Sequence, residues 1–401
     1  MAAQPILRSR KLLFYGITIV LLLAVIELCC RAYYYQALNP PHPFASVQLI
    51  RDIRSQIDRH RNDDLLIKRL RNNQYLVRPH FSKEQNDEID RECRAANHAV
   101  YQPWVEFSFM DFRSTYVNVV DHRRVSIPYR SDSAAGDRSD SAAGDRPDSA
   151  ARNPLRIYFL GGSTTYGFDV TDAETIPSAF VRAYREKYPG GPPIRVFNLG
   201  MPFYYSYQEL ILLADRLFRD EHPDMIVMLD GLNDCYGAGA AIDRVPVPPP
   251  NTGDRLLPGE VVDTARRPKS YNDLPRGISA DSGCSLVAAR YLDNIRHAHQ
   301  LTEINHIPLY CFWQPVPYYH YPNRANDPIC THTEQPRFGK IYPIIRDSAA
   351  HIPYLFFLGD LLQQEKGLPF VDEIHYSPSF SRSIAEEMLN RIDFGKKWKF
   401  Q

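Results

Sequence analysis

The sequence predicts an α/β fold, a parallel sheet covered by helices on both faces, preceded by a transmembrane helix and a small accessory region. Three observations carry this prediction. From residue 154 onward, short apolar runs alternate with segments of helical spacing. Those runs are apolar at consecutive positions, as strands buried on both faces must be. Residues 12–30 form one nearly unbroken apolar stretch, long enough to cross a hydrocarbon core as a helix.

The apolar stretch comes first in the chain. Arg8, Arg10 and Lys11 precede it, and Arg31 alone directly follows. Basic residues collect on the cytoplasmic side, so the N-terminus is expected in the cytoplasm and the rest outside it, periplasmic or extracellular. Glu27 lies near the outer end, where its carboxylate reaches the interface. No small-residue cleavage pattern follows, so the segment reads as an uncleaved single-pass signal-anchor.

Residues 32–129 carry no catalytic signature and read as a small accessory or stalk region packed on the main domain. Residues 46–71 are polar with scattered Ile and Leu, an exposed helix or stalk. Residues 101–120 alternate aromatic and polar side chains (Trp104, Phe107, Phe109, Phe112, Tyr116), which suggests strands. Residues 131–138 then spell SDSAAGDR, 139–146 repeat it, and 147–152 are a decayed third copy. Such small and charged residues have no apolar face to offset ordering entropy, so 130–153 reads as a linker.

The segment 154–395 is the expected catalytic domain. Strands are predicted at 157–160, 194–199, 225–229 and 308–313, and helices at 174–188, 206–218, 285–301, 341–350 and 379–392. Residues 354–358 fit either a strand or a helix start, and 245–276 form a Pro-rich insertion. Ligands of such sheets bind beyond the carboxyl ends of the strands, so chemistry belongs in the loops that follow them.

Composition narrows the partners. The 401 residues are 44% hydrophobic and 23% charged, an ordinary globular balance. Lys and Arg number 47 against 47 Asp and Glu, so no basic field exists to hold a nucleic acid. Of the seven cysteines, Cys93, Cys235, Cys284, Cys311 and Cys330 follow the anchor, where disulfides are allowed; an odd number leaves one over. Their spacing matches no zinc pattern, and His297 and His299 lie two apart and share no helix face. No metal and no cofactor are expected.

Four loops carry candidate chemistry. Gly161-Gly162-Ser163-Thr164 directly follows the first strand, and its glycines allow a tight turn that presents a serine at the sheet edge. Gly200 ends the second strand. Gly231-Leu232-Asn233-Asp234 follows the third; Asn233 can aim its NH2 at a developing oxyanion while Asp234 ties the loop down. Asp372-Glu373-Ile374-His375 places a carboxylate three residues before an imidazole. On a turn, the Asp can fix the tautomer and leave Nε2 as a base. Each block alone is as readily structural as chemical.

Taken together and in order, the four blocks resemble those of the SGNH/GDSL hydrolase superfamily, in its membrane-anchored Gly-Gly-Ser-Thr form. The resemblance runs from about residue 154 to 393. It implies a flavodoxin-like α/β/α sandwich and serine esterase chemistry, with Ser163 as nucleophile, His375 as base and Asp372 as its partner. It also implies an oxyanion hole from the amides of Ser163 and Gly200 and the Asn233 side chain. Gly162 departs from the pattern, since many members carry Asp there.

The expected substrate is an acyl ester, an acetyl group on an extracytoplasmic saccharide among the candidates. An acyltransferase would use the same residues, and a non-catalytic glycan-binding protein could keep the fold. Tyr204, Tyr205 and Tyr207, with Tyr318, Tyr319 and Tyr321, are candidates for stacking on sugar faces. Gln314 is a candidate for orienting substrate. Oligomeric state is left open.

Overall fold

The computed structural model describes residue 25 and residues 76–102, 105–127, 154–237, 280–329 and 335–394. All from residue 76 on belong to one unit spanning 69–401. The candidate anchor (apart from Val25), the 46–71 segment, Trp104, the repeat and the Pro-rich insertion lie outside the described residues. Among the described residues, no helix is long and apolar enough to cross a membrane.

Five strands form the parallel heart of the sheet: β5 (Leu155–Gly161), β6 (Ile194–Asn198), β7 (Met225–Asp230), β8 (Leu309–Trp313) and β9 (Leu355–Phe357). Their order across the sheet is β6-β5-β7-β8-β9. Taken in chain order within this group, that is 2-1-3-4-5, the flavodoxin-like arrangement. The segment 354–358 therefore holds a strand rather than a helix start. Its neighbour β8 supplies a parallel partner, with Cys311 opposite Leu355 and Trp313 opposite Phe357.

Side chains alternate across each strand, and each face finds its own helices. Ile157 and Phe159 of β5, with Val227 and Leu229 of β7, pack on α3 (Ile176–Lys187) and α8 (Pro378–Arg391). Tyr158, Leu160, Ile226 and Met228 face the opposite way. They meet α4 (Ser206–Phe218), α6 (Ala280–Ile304) and α7 (Pro336–Ala349). Every residue of β7 is buried, as the unbroken apolar run required. Helix α7 begins five residues before the expected 341, because Pro336 sits in its first turn, where its missing N–H costs nothing.

The accessory region contributes more order than its sequence suggested. Helix α1 (Lys83–Ala95) was not anticipated, although Ser82 and Gln85 form a reciprocal capping box at its start. Strands β1 (Ala99–Gln102) and β2 (Glu106–Phe109) pair antiparallel as a hairpin. The short strands β3 (Val119–Val120) and β4 (Arg123–Arg124) extend the main sheet, since Arg124 pairs antiparallel with Asn198 of β6. The described cysteines, Cys93, Cys235, Cys284 and Cys311, are all buried, and Cys93, Cys235 and Cys311 are free thiols. The disulfides that the sequence reading allowed do not form among these three.

Candidate active site

Strands β5 and β7 lie side by side although β6 intervenes in sequence, so the crossovers leave β5 in opposite directions. That reversal opens a crevice at the carboxyl ends of these two strands. Ser163 follows β5 as the first residue of the short helix α2 (Ser163–Tyr166). Asn233 follows β7 within α5 (Leu232–Gly237). His375 arrives from the turn after Phe370, which an antiparallel bridge from Phe370 to Tyr376 closes. The Val371 N–H donates to the His375 carbonyl at 2.9 Å inside that turn.

The three predicted catalytic side chains meet. Ser163 Oγ lies 2.8 Å from His375 Nε2. His375 Nδ1 lies 2.5 Å from Asp372 Oδ2. Asp372 Oδ1 meanwhile accepts the N–H groups of Ile374 at 2.8 Å and His375 at 2.7 Å. A carboxylate only accepts, so the imidazole proton resides on Nδ1, and Nε2 is left to take the serine proton. Ser163 is 7% exposed and His375 8%, so this relay works largely out of water.

Charges tune the pair. Burial pushes the His375 imidazole down, but the Asp372 charge and hydrogen bond, with help from Asp169, outweigh it and leave it above its usual value. Burial pushes the Asp372 carboxyl up, and the His375 charge and the N–H donors reverse that and hold it below the usual range. The two directions agree with one ion pair that stabilises both charged forms.

The oxyanion donors divide. Ser163 opens α2, so its N–H has no partner within the helix. The Asn233 side chain adjoins Ser163 in the same small pocket, and one of its N–H bonds goes to the Tyr204 carbonyl at 2.7 Å. This contact explains Gly162, because a Cβ there would stand 2.5 Å from Asn233 Nδ2. Gly200 departs from its expected role. Its N–H donates to the Asn198 side chain at 3.0 Å. A Cβ on Gly200 would meet the Tyr166 nitrogen at 2.4 Å, so this glycine serves close packing against α2.

Most of the substrate candidates lie inside the fold. Tyr204 is 1% exposed, its hydroxyl donates to the Phe107 carbonyl, and its ring packs edge-on against Phe107. Tyr205 is buried and precedes α4 as its cap. Tyr319 and Tyr321 are buried too, and Tyr318 packs on Phe338. The buried rings fill the space between layers, as aromatic side chains near an apolar seam usually do, and Tyr207 and Tyr318 are half-buried. Gln314 does border the Ser163 pocket, but it is 2% exposed and its Oε1 accepts the Thr164 hydroxyl at 2.8 Å. It braces the residue after the nucleophile.

Asp234 accepts both the N–H and the hydroxyl of Ser206, which ties the Asn233 loop to α4. Behind it, Glu209 and Asp230 are buried carboxyls pushed well above the ordinary range, Glu209 by burial and the Asp230 charge, Asp230 by burial and the Asp234 charge. His299 lies against Tyr354, with ring centroids 4.1 Å apart, and faces Glu303. No group of three or more metal-ligating side chains occurs among the described residues.

Sequence reasoning missed several contributors. The Asn198 side chain donates to the Thr165 carbonyl at 2.9 Å and the Tyr166 carbonyl at 3.3 Å, closing the C-terminal end of α2. The Phe168 ring stacks on the His375 imidazole with centroids 4.8 Å apart. The pocket at Ser163 offers only about 10 Å³, roughly the space of one water. A cavity of about 580 Å³ lies elsewhere, lined by Val100, Asp121, His122, Asp215 and Arg219, and contains none of the relay residues.

Comparison with known proteins gives no family model and no curated relative that matches the chain. Solved structures with a similar trace include an acetyl xylan esterase at 13% identity, covering 60% of this chain and 100% of that one, with a TM-score of 0.36. A GDSL-like lipase from Bacteroides thetaiotaomicron is 14% identical, with coverage of 59% and 86% and a TM-score of 0.30. A gut microbial diltiazem-metabolizing enzyme is 19% identical over 59% of this chain, with a TM-score of 0.37. The matched part spans 46% of that enzyme's length.

Proposed function

We propose that this chain is a serine hydrolase of the SGNH/GDSL type that cleaves an acyl ester. The observation that carries this is the continuous relay from Ser163 Oγ through His375 to Asp372, with gaps of 2.8 Å and 2.5 Å. Ser163 Oγ attacks the ester carbonyl carbon while its proton passes to Nε2. The amide of Ser163 and the Asn233 side chain hold the oxygen that becomes negative. As the tetrahedral intermediate collapses, the imidazolium returns the proton to the departing alcohol. Water then attacks the acyl-enzyme by the same path and releases the free acid.

The proposed acyl group is a short one such as acetyl. An O-acetylated saccharide outside the cytoplasm combines that group with the expected location. If a sugar hydroxyl replaces water in the second half-reaction, the same residues perform acyl transfer. A fluorophosphonate probe tests the core of the proposal, with labelling expected at Ser163 in the wild type and abolished in His375→Ala. An unlabelled wild-type chain would remove the hydrolase. Acetate release measured with and without an added sugar acceptor separates hydrolysis from transfer.

The location rests on the apolar run 12–30 and its flanking charges. The proposed topology keeps the full chain in the membrane pellet after alkaline carbonate washing, while a chain starting at residue 32 is released. Retention of the shortened chain would refute the anchor.

A further inference from the structure

The loop after the nucleophile helix brings a second carboxylate to the relay. Phe168 and Asp169 follow α2, and the Phe168 ring lies on the imidazole of His375, 29° from parallel. Asp169 is half-buried and adopts φ +58°, a left-handed conformation that favours Gly, Asn and Asp. A single residue held in that conformation marks a turn fixed by its surroundings.

Those surroundings belong to the accessory region. Arg124, itself 2% exposed, donates to the Val170 carbonyl at 2.7 Å and to Asp172 at 2.8 Å. The Asn118 side chain donates to Asp172 at 2.7 Å, and the Asp172 N–H donates to the Tyr116 carbonyl at 2.8 Å. The Cys93 thiol points at the Val170 carbonyl. Four residues of the segment 93–124 thus grip Val170 and Asp172, just after Asp169.

We infer that Asp169 is a positioning residue of this site, a second carboxylate that stabilises the imidazolium of His375 and is held there by the accessory region. The inference rests on the serine hydrolase proposed above. In that reaction His375 becomes positive at each tetrahedral step, and a nearby anion lowers the energy of the charged form. The charged and titratable groups facing Asp169 are Asp372 and His375 from the relay turn and Arg78, Asp90 and Cys93 from the accessory region. Burial, followed by the Asp372 charge, pushes the Asp169 carboxyl up to about 7, against the opposing pull of His375 and Arg78. Its negative form therefore appears in the pH range where the imidazole must work. Residues 76–127 then act on the chemistry without touching substrate.

The test is Asp169→Asn, which removes the charge and keeps a residue that tolerates the left-handed turn. Asp121→Asn is the control, since Asp121 has φ +52° and pairs with Arg123 outside the relay. The pKa of His375 is read by NMR titration of the imidazole, which needs no turnover. It is expected to fall by about half a unit or more in Asp169→Asn and to stay in place in Asp121→Asn. Turnover of p-nitrophenyl acetate is expected to lose about tenfold in kcat with KM unchanged, and its acid limb to move to lower pH. Should Asp169→Asn fail to fold, Asp169→Gly shares the backbone freedom and carries the same measurement. An unmoved His375 overturns the inference while leaving the hydrolase intact. A wild-type chain that resists the fluorophosphonate overturns the hydrolase, and the catalytic role of Asp169 falls with it.

Discussion

Replacing Asp372 with Asn probes the relay at the point where geometry dictates the result. Asp372 Oδ1 accepts two backbone N–H groups, at 2.8 Å and 2.7 Å, while Oδ2 faces His375 Nδ1 at 2.5 Å. An Asn side chain must choose which end to present. Turning its NH2 toward the two backbone donors would forfeit both of those hydrogen bonds, each worth about 1 kcal/mol and more where burial leaves a donor unpaired. The oxygen therefore stays with the backbone, and the NH2 points at the imidazole. Nδ1 must then accept, which moves the ring proton to Nε2, directly against Ser163 Oγ. The base is now a donor. The expected loss in kcat is about 10⁴, or about 5.5 kcal/mol of barrier, against about 10⁶ for Ser163→Ala. The assay is p-nitrophenyl acetate hydrolysis, with circular dichroism and thermal melting confirming that the variant is folded. A folded Asp372→Asn enzyme within tenfold of wild type would show that the imidazole tautomer does not matter, and the relay would lose its meaning.

Two further outcomes follow from the same geometry. Because catalysis requires neutral His375 and its pKa is raised, kcat/KM should climb with pH and pass its acid midpoint above 6.5. The ion pair's stabilisation has the matching window: the His375 share fades as pH rises through its raised pKa, and the Asp372 share fades as pH falls through its lowered one. A midpoint below 6.5 in the pH–rate profile would contradict this. Gly162→Ala should displace Asn233, whose Nδ2 would lie 2.5 Å from the new Cβ. The loss should match that of one oxyanion donor, about 10²–10³ in kcat, and full activity would show that Asn233 holds no oxyanion.

The parts of the site legible in the sequence are those in which one residue type does chemistry at a fixed offset from a strand. Ser163, Asn233 and the Asp372–His375 pair have this form, because a strand end fixes where the next side chain goes. The parallel sheet was legible for a related reason: strands buried on both faces admit no polar interruption, so β5, β7 and β8 stand out as unbroken apolar runs. What the sequence hid are contacts between segments distant along the chain. Gly200 looks like a loop amide until α2, more than thirty positions earlier, is seen against it, with the Tyr166 nitrogen 2.4 Å from where a Cβ would stand. Tyr204 looks like a ligand platform until the β2 carbonyl of Phe107, ninety-seven positions away, is seen to take its hydroxyl.

Helix α1 is an instructive case, since its capping box was present in the letters Ser82 to Gln85, yet its buried face (Asn86, Ile89, Asp90 and Cys93) is half polar and does not stand out as an apolar stripe. The strongest omission is Asp169. Nothing in Phe168-Asp169-Val170 marks it, and its importance arises from a left-handed turn gripped by Arg124, Asn118, Tyr116 and Cys93 of another region. A charge beside a catalytic imidazole can come from any loop that the fold brings there, so its sequence neighbours need carry no pattern. Here the deciding contacts come from the region with no catalytic signature of its own. The accessory region thus contributes strands to the sheet edge and holds the turn that faces the base, so its removal should disturb the relay itself and not merely shorten the chain.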